Sequence, residues 1–124
     1  MNNLTGAFPK TRRLTKSSGF KRVFKTETRS EDNNFLVLAR KNGQDYAKLG
    51  LAISKRNVKT AVGRNRIKRV IRESFRKNQD KVTGLDVVVV SRKKTGASSN
   101  NELIDSLESH WKKISSAKNI NSRH

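Results

Sequence analysis

Arg64, Asn65, Arg66, Lys68, Arg69 and Arg72 crowd into one short stretch, TAVGRNRIKRVIRESFRK from Thr60 to Lys77. Guanidinium groups are planar forks of donors. They suit two-point contact with a phosphate or a guanine edge, which an ammonium does not offer. Among them stands a single acid, Glu73, spaced to pair with Arg69 one turn before and Lys77 one turn after. A solvated helix face mixes signs, and like charges one turn apart oppose helix formation. The stretch therefore reads as a surface built for a polyanion.

The remaining side chains give no catalytic set. Asp105 and Glu108 are three apart on one predicted helix face, the pattern of a solvated surface. Asp45 and Asp86 stand alone. His110 follows no nucleophile pattern, and His110 and His124 are too few and too far apart for a metal cluster. Cysteine is absent, which excludes disulfides, thiolate catalysis and cysteine-based zinc sites. If the chain serves an enzyme, the chemistry lies elsewhere, such as in metal ions held by an RNA.

Charge points the same way. The 124 residues carry 29 Lys+Arg against 10 Asp+Glu, a formal net charge of +19. Such an excess repels itself in isolation and favours a polyanionic partner. Nucleic acid leads, since each neutralised phosphate releases counterion. An anionic membrane surface would need the helix's apolar face left free, and the core claims that face. No apolar run approaches a membrane span or a signal-peptide core, so a soluble, cytoplasmic protein is expected.

The elements that position these residues follow from periodicity. Ile67, Val70, Ile71 and Phe75, with small Ser74 among them, fall on one side of a helix capped by Thr60. Gly63 in its first turn either relieves crowding or lets a partner approach closely. A shorter helix is expected at about Lys16 to Lys25, with Phe20 and Phe24 on one face beside Val23. Those rings are either core or a groove edge on which a base could stack. Thr26 to Asn33 is a polar connector with a short extended piece near Arg29. Phe35 to Ala39 reads as a strand, and Asn42-Gly43 as the turn of an antiparallel hairpin into a strand from Tyr46 to Ser54. Leu49, Leu51 and Ile53 of that strand should face the core. Its other face, with Gly50, Ala52 and Ser54, is either a shallow groove floor or the seat of a close neighbour. Asp86 to Ser91, rich in valine, reads as a strand buried on both faces, hence central or covered. Arg92-Lys93-Lys94-Thr95-Gly96 is a basic loop. Ser99 and Glu102 form a capping box for a last helix striped by Leu103, Leu107, Trp111 and Ile114, with His110 at the surface. One domain is expected, ordered from about residue 14 to 115, with basic, flexible ends.

Ala61 to Arg76 resembles the signature of the bacterial ribonuclease P protein component, whose hallmark is Arg-Asn-Arg, here Arg64-Asn65-Arg66. Phe20-Lys21-Arg22-Val23-Phe24, Leu49 to Lys55 and Asp86 to Val90 resemble further family segments in the same order. That resemblance implies the small subunit of a ribonucleoprotein that removes the 5′ leader from precursor tRNA. Its catalyst is a large RNA using magnesium ions, held mainly by that RNA. The implied fold is α+β, an α/β sandwich in the order αβββαβα, with a left-handed crossover around the basic helix. Sequence alone would favour a right-handed one, as in about 98% of such units. The resemblance further implies that Arg64, Asn65, Arg66, Lys68, Arg69 and Arg72 touch the catalytic RNA, one protein to one RNA. It places Phe20, Phe24, Lys55 and Arg56 at a cleft for the leader, with Gly50, Ala52 and Ser54 as its floor. Leu38 stands where other members carry an aromatic residue, so one stacking contact is missing there. A ribosomal or general nucleic-acid structural protein is the alternative that the charge alone equally allows. A protein-only nuclease is disfavoured by the lack of an acid and histidine cluster.

Overall fold

The chain builds α1 (Ser17–Phe24), β1 (Thr28–Glu31), β2 (Phe35–Lys41), β3 (Lys48–Ala52), α2 (Ala61–Lys77), β4 (Leu85–Ser91) and α3 (Asn100–Asn121) in that order. Short 3-10 turns at Gln79–Val82 and Thr95–Ala97 flank β4. The structure is a computed structural model, and it describes residues 13, 14, 17–26 and 28–121. The expected basic lead-in from Met1 falls, up to residue 12, outside the described residues, as do 122–124.

The strands form one sheet in the order β1-β2-β4-β3. β4 runs antiparallel to β2 and parallel to β3. This overturns the expected hairpin. The chain does turn at Asn42-Gly43, where Gly43 takes φ 74°, but β4 is slotted between the two strands that the turn connects. The physical reason is β4 itself. Val87, Val88 and Val89 are fully buried, two facing one side and one the other. Such a strand needs neighbours at both edges and cover on both faces. The wide turn closes over the start of β4 instead. The Asn42 amide donates to the Gly84 carbonyl at 2.9 Å, and Asn42 Nδ2 donates to Asp86 Oδ1 at 3.0 Å.

Helices cover both faces of the sheet. α2 and α3 pack together on one face, where Ile67, Ile71, Phe75, Leu103, Leu107 and Trp111 are buried against Phe35, Val37, Leu49, Val87 and Val89. Each large aliphatic side chain so buried contributes about 1.5–3 kcal/mol. α1 lies on the other face, where Leu14 and Val23 cover Leu38 and Val88. At eight residues, α1 is too short to cover that face. Leu36, Ala52 and Val90 stay half-exposed beside it.

The caps fall where the sequence places them. Thr60 Oγ1 accepts from the Gly63 amide at 2.9 Å. A methyl on Gly63 would stand 2.9 Å from that oxygen and 3.0 Å from Val58, so this glycine relieves crowding at the cap. The Ser99 and Glu102 box forms reciprocally, at 2.8 and 3.2 Å. α3 runs on to Asn121, past Ile114, where a polar tail was expected. No glycine or proline follows to stop it.

Two side-chain expectations need correcting. Glu73 pairs with Arg76 at 2.5 Å and Lys77 at 3.8 Å, not with Arg69. His110 is buried, 1% exposed, rather than at the surface. Its Nδ1 lies 2.6 Å from Ser30 Oγ and its Nε2 3.2 Å from Asp32 Oδ2. Ser106 Oγ donates to the same Asp32 oxygen at 2.6 Å. These contacts pin α3 to β1 and the turn after it.

Candidate nucleic-acid interface

The basic residues of α2 divide into strips, because each turn of the helix rotates them past a different neighbour. Arg64, Lys68 and Arg72 follow at four-residue intervals along the flank nearest β3. Lys68 and Arg72 stand beside Leu49 and Leu51 of that strand. Arg64 is bound back onto the chain, with Nη1 donating to the carbonyls of Val58 at 2.9 Å and Lys59 at 3.1 Å. Asn65 and Arg69 are exposed on the outward side. Arg66 lies on the opposite flank and is tied to α3, donating to Asn100 Oδ1 and to the Ser98 carbonyl. The residues singled out from sequence therefore serve different surfaces. Asn65 and Arg69 point straight out, Lys68 and Arg72 lean toward the sheet, and Arg64 and Arg66 are partly spent on holding the helix in place.

The sheet side carries a trough. One hollow of 270 Å³ is lined by Arg13, Phe20, Leu49, Leu51, Lys68 and Arg72. A second of 450 Å³ shares Leu51 and Lys68 with it and runs over Ala52 and Ser54 to Val90 and Ser91. A third of 590 Å³ shares Val90, Ser91 and Asn57 with the second and ends among Arg56, Arg92, Lys93 and Lys94. The three hollows adjoin one another and pass round the β3 edge of the sheet from the α2 side to the α1 side, with apolar side chains set among cationic ones. Burial, and then the like charge of Arg13, lower the pKa of the Arg72 guanidinium from its usual value. Crowded cations of this kind are relieved when an anion joins them.

Phe20 stands at the near end, and Phe24, which lines none of the three hollows, lies beside it, ring centroids 6.4 Å apart and planes 27° apart. Phe24 is 50% exposed, a large apolar ring turned to solvent. Phe20 is half-buried and lies on Gly50, where an added methyl would come within 2.8 Å of Cζ. Both sequence readings of the small-residue face are realised. Gly50 seats Phe20, while Ala52 and Ser54 floor the open trough. Arg56 lines the far hollow, and Lys55 is exposed next to it without lining it. Leu38, where an aromatic was missed, is only 4% exposed under α1. Leu36 is the residue of β2 that reaches the trough.

The far wall is braced by groups to which the sequence reading gave no role. The Arg92 amide donates to Thr95 Oγ1 at 2.8 Å, and the Thr95 hydroxyl donates to the Asn34 carbonyl. Arg92 Nη1 pairs with Glu31 at 2.6 Å. Asn57 Nδ2 donates to the Ser91 carbonyl at 3.0 Å. The loop is thereby held with Lys93 and Lys94 exposed.

Comparison with known proteins decides the family. The family model described as Ribonuclease P matches residues 8–115. The chain belongs to the ribonuclease P protein family. It is 45% identical over 108 residues to the ribonuclease P protein component of Pseudomonas putida strain GB-1, covering 86% of this chain and 81% of that protein. The Pseudomonas aeruginosa component is likewise 45% identical over 108 residues, 86% and 80% covered. The fold matches the RNase P protein of Staphylococcus aureus with a TM-score of 0.75 at 30% identity, covering 82% of this chain and 93% of that one. It matches the RNase P protein of Thermotoga maritima with a TM-score of 0.72 at 33% identity, covering 81% and 94%.

As a ribonuclease P protein, the chain is the protein subunit of a ribonucleoprotein enzyme that processes tRNA, and its partner is RNA. The alternative of a ribosomal or general structural protein gives way to this match. Among the described residues, no three His, Cys, Asp or Glu side chains stand together as a metal site. No helix among them is long and apolar enough to cross a membrane. Arg13, Arg92, Lys93 and Lys94 are the trough residues that sequence reasoning missed as site residues. Arg13 reaches the trough through a parallel bridge to Leu49, which no local pattern signals. The Arg92 to Lys94 run was visible, but its place beside Arg56 depends on the strand order.

Proposed function

We propose that the chain uses its two basic surfaces for two different RNAs. The outward side of α2 docks on the catalytic RNA of ribonuclease P, through Asn65 and Arg69 in front and Arg64, Arg66, Lys68 and Arg72 on the flanks. The trough across the sheet holds the 5′ leader of precursor tRNA. Phe20 and Phe24 supply faces for bases at one end, and Arg56, with Lys55 beside it, supplies charge at the other. Lys68 and Arg72 sit on the ridge between the surfaces and belong to both.

The observation that carries this reading is the continuity of the trough. Apolar cover from Leu51 at the β3 edge and from Ala52 and Val90 on the α1 face, flanked by Lys68 and Arg72 at one end and Arg56, Lys93 and Lys94 at the other, suits a single strand, whose bases seek apolar cover and whose phosphates seek cations. Magnesium stays with the RNA, one protein serves one RNA, and the assembly works in the cytoplasm. The chain's own contribution is electrostatic. It neutralises phosphates that would otherwise demand metal ions, and it holds the leader so that the scissile bond meets the RNA-borne site.

The test is binding of precursor tRNA with and without its leader to the reconstituted holoenzyme. Phe20→Ala and Lys93→Ala should weaken only the leader-bearing substrate. Equal loss for both substrates would place these residues outside a leader site.

A further inference from the structure

A second concavity lies away from the trough, between α2 and α3. It measures 240 Å³ and is lined by Arg69, Val70, Glu73, Lys77, Ile104 and Glu108. Its floor is apolar: Val70 is half-buried, and Ile104 is an exposed large hydrophobic at 36%. Charges of both signs ring that floor. Arg69 and Lys77 stand on the α2 rim. Glu73 is engaged by Arg76 and Lys77. Glu108, on the α3 rim, is exposed and has no hydrogen bond or ion pair among the described residues.

We infer that this groove receives one unpaired guanine of the catalytic RNA. The inference rests on the reading that the outward side of α2 docks on that RNA, because Arg69 belongs to both surfaces. The volume is below the roughly 300–1,000 Å³ of pockets for drug-sized ligands, so it suits one ring system rather than a helix or an extended peptide. The apolar floor takes the face of a base. The flanking cations take the phosphates on either side of it. The carboxylate selects among bases. Guanine offers N1–H and N2–H side by side, which match the two oxygens of Glu108 in a charge-assisted pair. Adenine and uracil do not offer two adjacent donors on that edge. Splayed-out bases read on their Watson–Crick edges are the usual targets of sequence-specific RNA recognition.

The experiment probes the catalytic RNA with kethoxal, which modifies the N1 and N2 of unpaired guanines. The RNA is tested alone, with the wild-type chain, and with Ile104→Ala and Glu108→Gln. The groove predicts a guanine that the wild-type chain protects and that becomes reactive with both variants. RNA affinity should fall on the order of tenfold for Glu108→Gln. Replacing that guanine by adenine should cost the wild type a similar factor and cost Glu108→Gln nothing further. Unchanged protection and unchanged affinity with both variants would overturn the assignment. Lys68→Ala, outside the groove, distinguishes guanine binding in the groove from the docking of α2. If it weakens RNA binding while the groove variants do not, the groove reading falls alone. If none of the three weakens binding, the docking of α2 falls with it. Glu108→Gln alters a single exposed carboxylate, so it keeps the test decisive even if Ile104→Ala lowers stability.

Discussion

The ring of Phe20 rests on the bare backbone of Gly50, with Cζ 2.8 Å and Cε1 3.0 Å from where a methyl would stand. The contact joins α1 to β3 and fixes the near wall of the trough. Gly50→Ala should therefore push Phe20 and Leu14 outward. Overpacking of this kind costs about 1–3 kcal/mol. The expected outcome is a lower Tm together with weaker binding of leader-bearing precursor tRNA and little change for leaderless tRNA. Unchanged leader dependence would separate the Phe20 seat from substrate binding.

Among the described residues, a buried polar contact joins α2 to α3, with Trp111 Nε1 donating to Ser74 Oγ at 2.9 Å. Ser74→Ala leaves the indole N–H without its acceptor, at about 1–3 kcal/mol. Chemical unfolding followed by Trp111 fluorescence measures this directly. Because Trp111 is buried, its environment in the folded variant should stay apolar, and RNA affinity should fall only as far as stability does.

Acid should loosen the hold of α3 on the β1–β2 connection. Burial disfavours the imidazolium of His110 and lowers its pKa below the usual histidine value, outweighing the nearby Asp32 carboxylate. The unfolded chain therefore binds a proton at a pH where the folded chain still refuses it. Stability from this group is complete above the ordinary histidine pKa of about 6.5 and declines as pH falls from there toward the folded value. The slope for one such proton is at most about 1.4 kcal/mol per pH unit. Asp32 adds a second loss at lower pH. Burial would raise its pKa, but the Ser106 hydroxyl and the amides of Phe35 and Asn34 together lower it. Its contribution fades as pH falls from its unfolded value through its folded one. Urea titrations between pH 7.5 and 5 should show this slope, and His110→Gln should flatten it.

Different strips of α2 should respond differently to salt. Arg69 is exposed and points outward, so Arg69→Ala should weaken binding to the catalytic RNA and reduce the slope of log K against log salt by about 0.7–0.9, one phosphate contact. Arg64 donates to the Val58 and Lys59 carbonyls, so Arg64→Ala should lower Tm as well. Identical behaviour of the two variants would contradict the division of the helix into docking and anchoring residues.

The sequence speaks most clearly where structure is local. The α2 stripe of Ile67, Ile71, Ser74 and Phe75, the Thr60 cap and the Ser99–Glu102 box all follow from spacings of three and four. The valine run of β4 also announced a strand buried on both faces. What it could not announce was which strands flank it, since Asn42-Gly43 is a local turn signal and strand order is set by non-local pairing. The trough inherits that limit, because Arg56 and the Arg92 to Lys94 loop meet only once β4 lies beside β3. His110 is a different case. It follows Leu103 and Leu107 at helical spacing, so its burial was readable. Its polarity concealed it, and the groups that its two ring nitrogens face, Ser30 and Asp32, lie some 80 positions away. Arg66 likewise reads as a free contact residue until α3 brings Asn100 beside it.

The central claim is that this chain is a handle and a leader guide for an RNA catalyst. Reconstitution with the cognate catalytic RNA at low magnesium, measuring cleavage of precursor tRNA, tests it most directly. The account predicts cleavage at the 5′ end of the mature tRNA that the chain strongly stimulates, a smaller stimulation when the leader is trimmed short, and no cleavage by the chain without the RNA. Cleavage by the chain alone, or RNA-catalysed cleavage that the chain leaves unchanged, would contradict it.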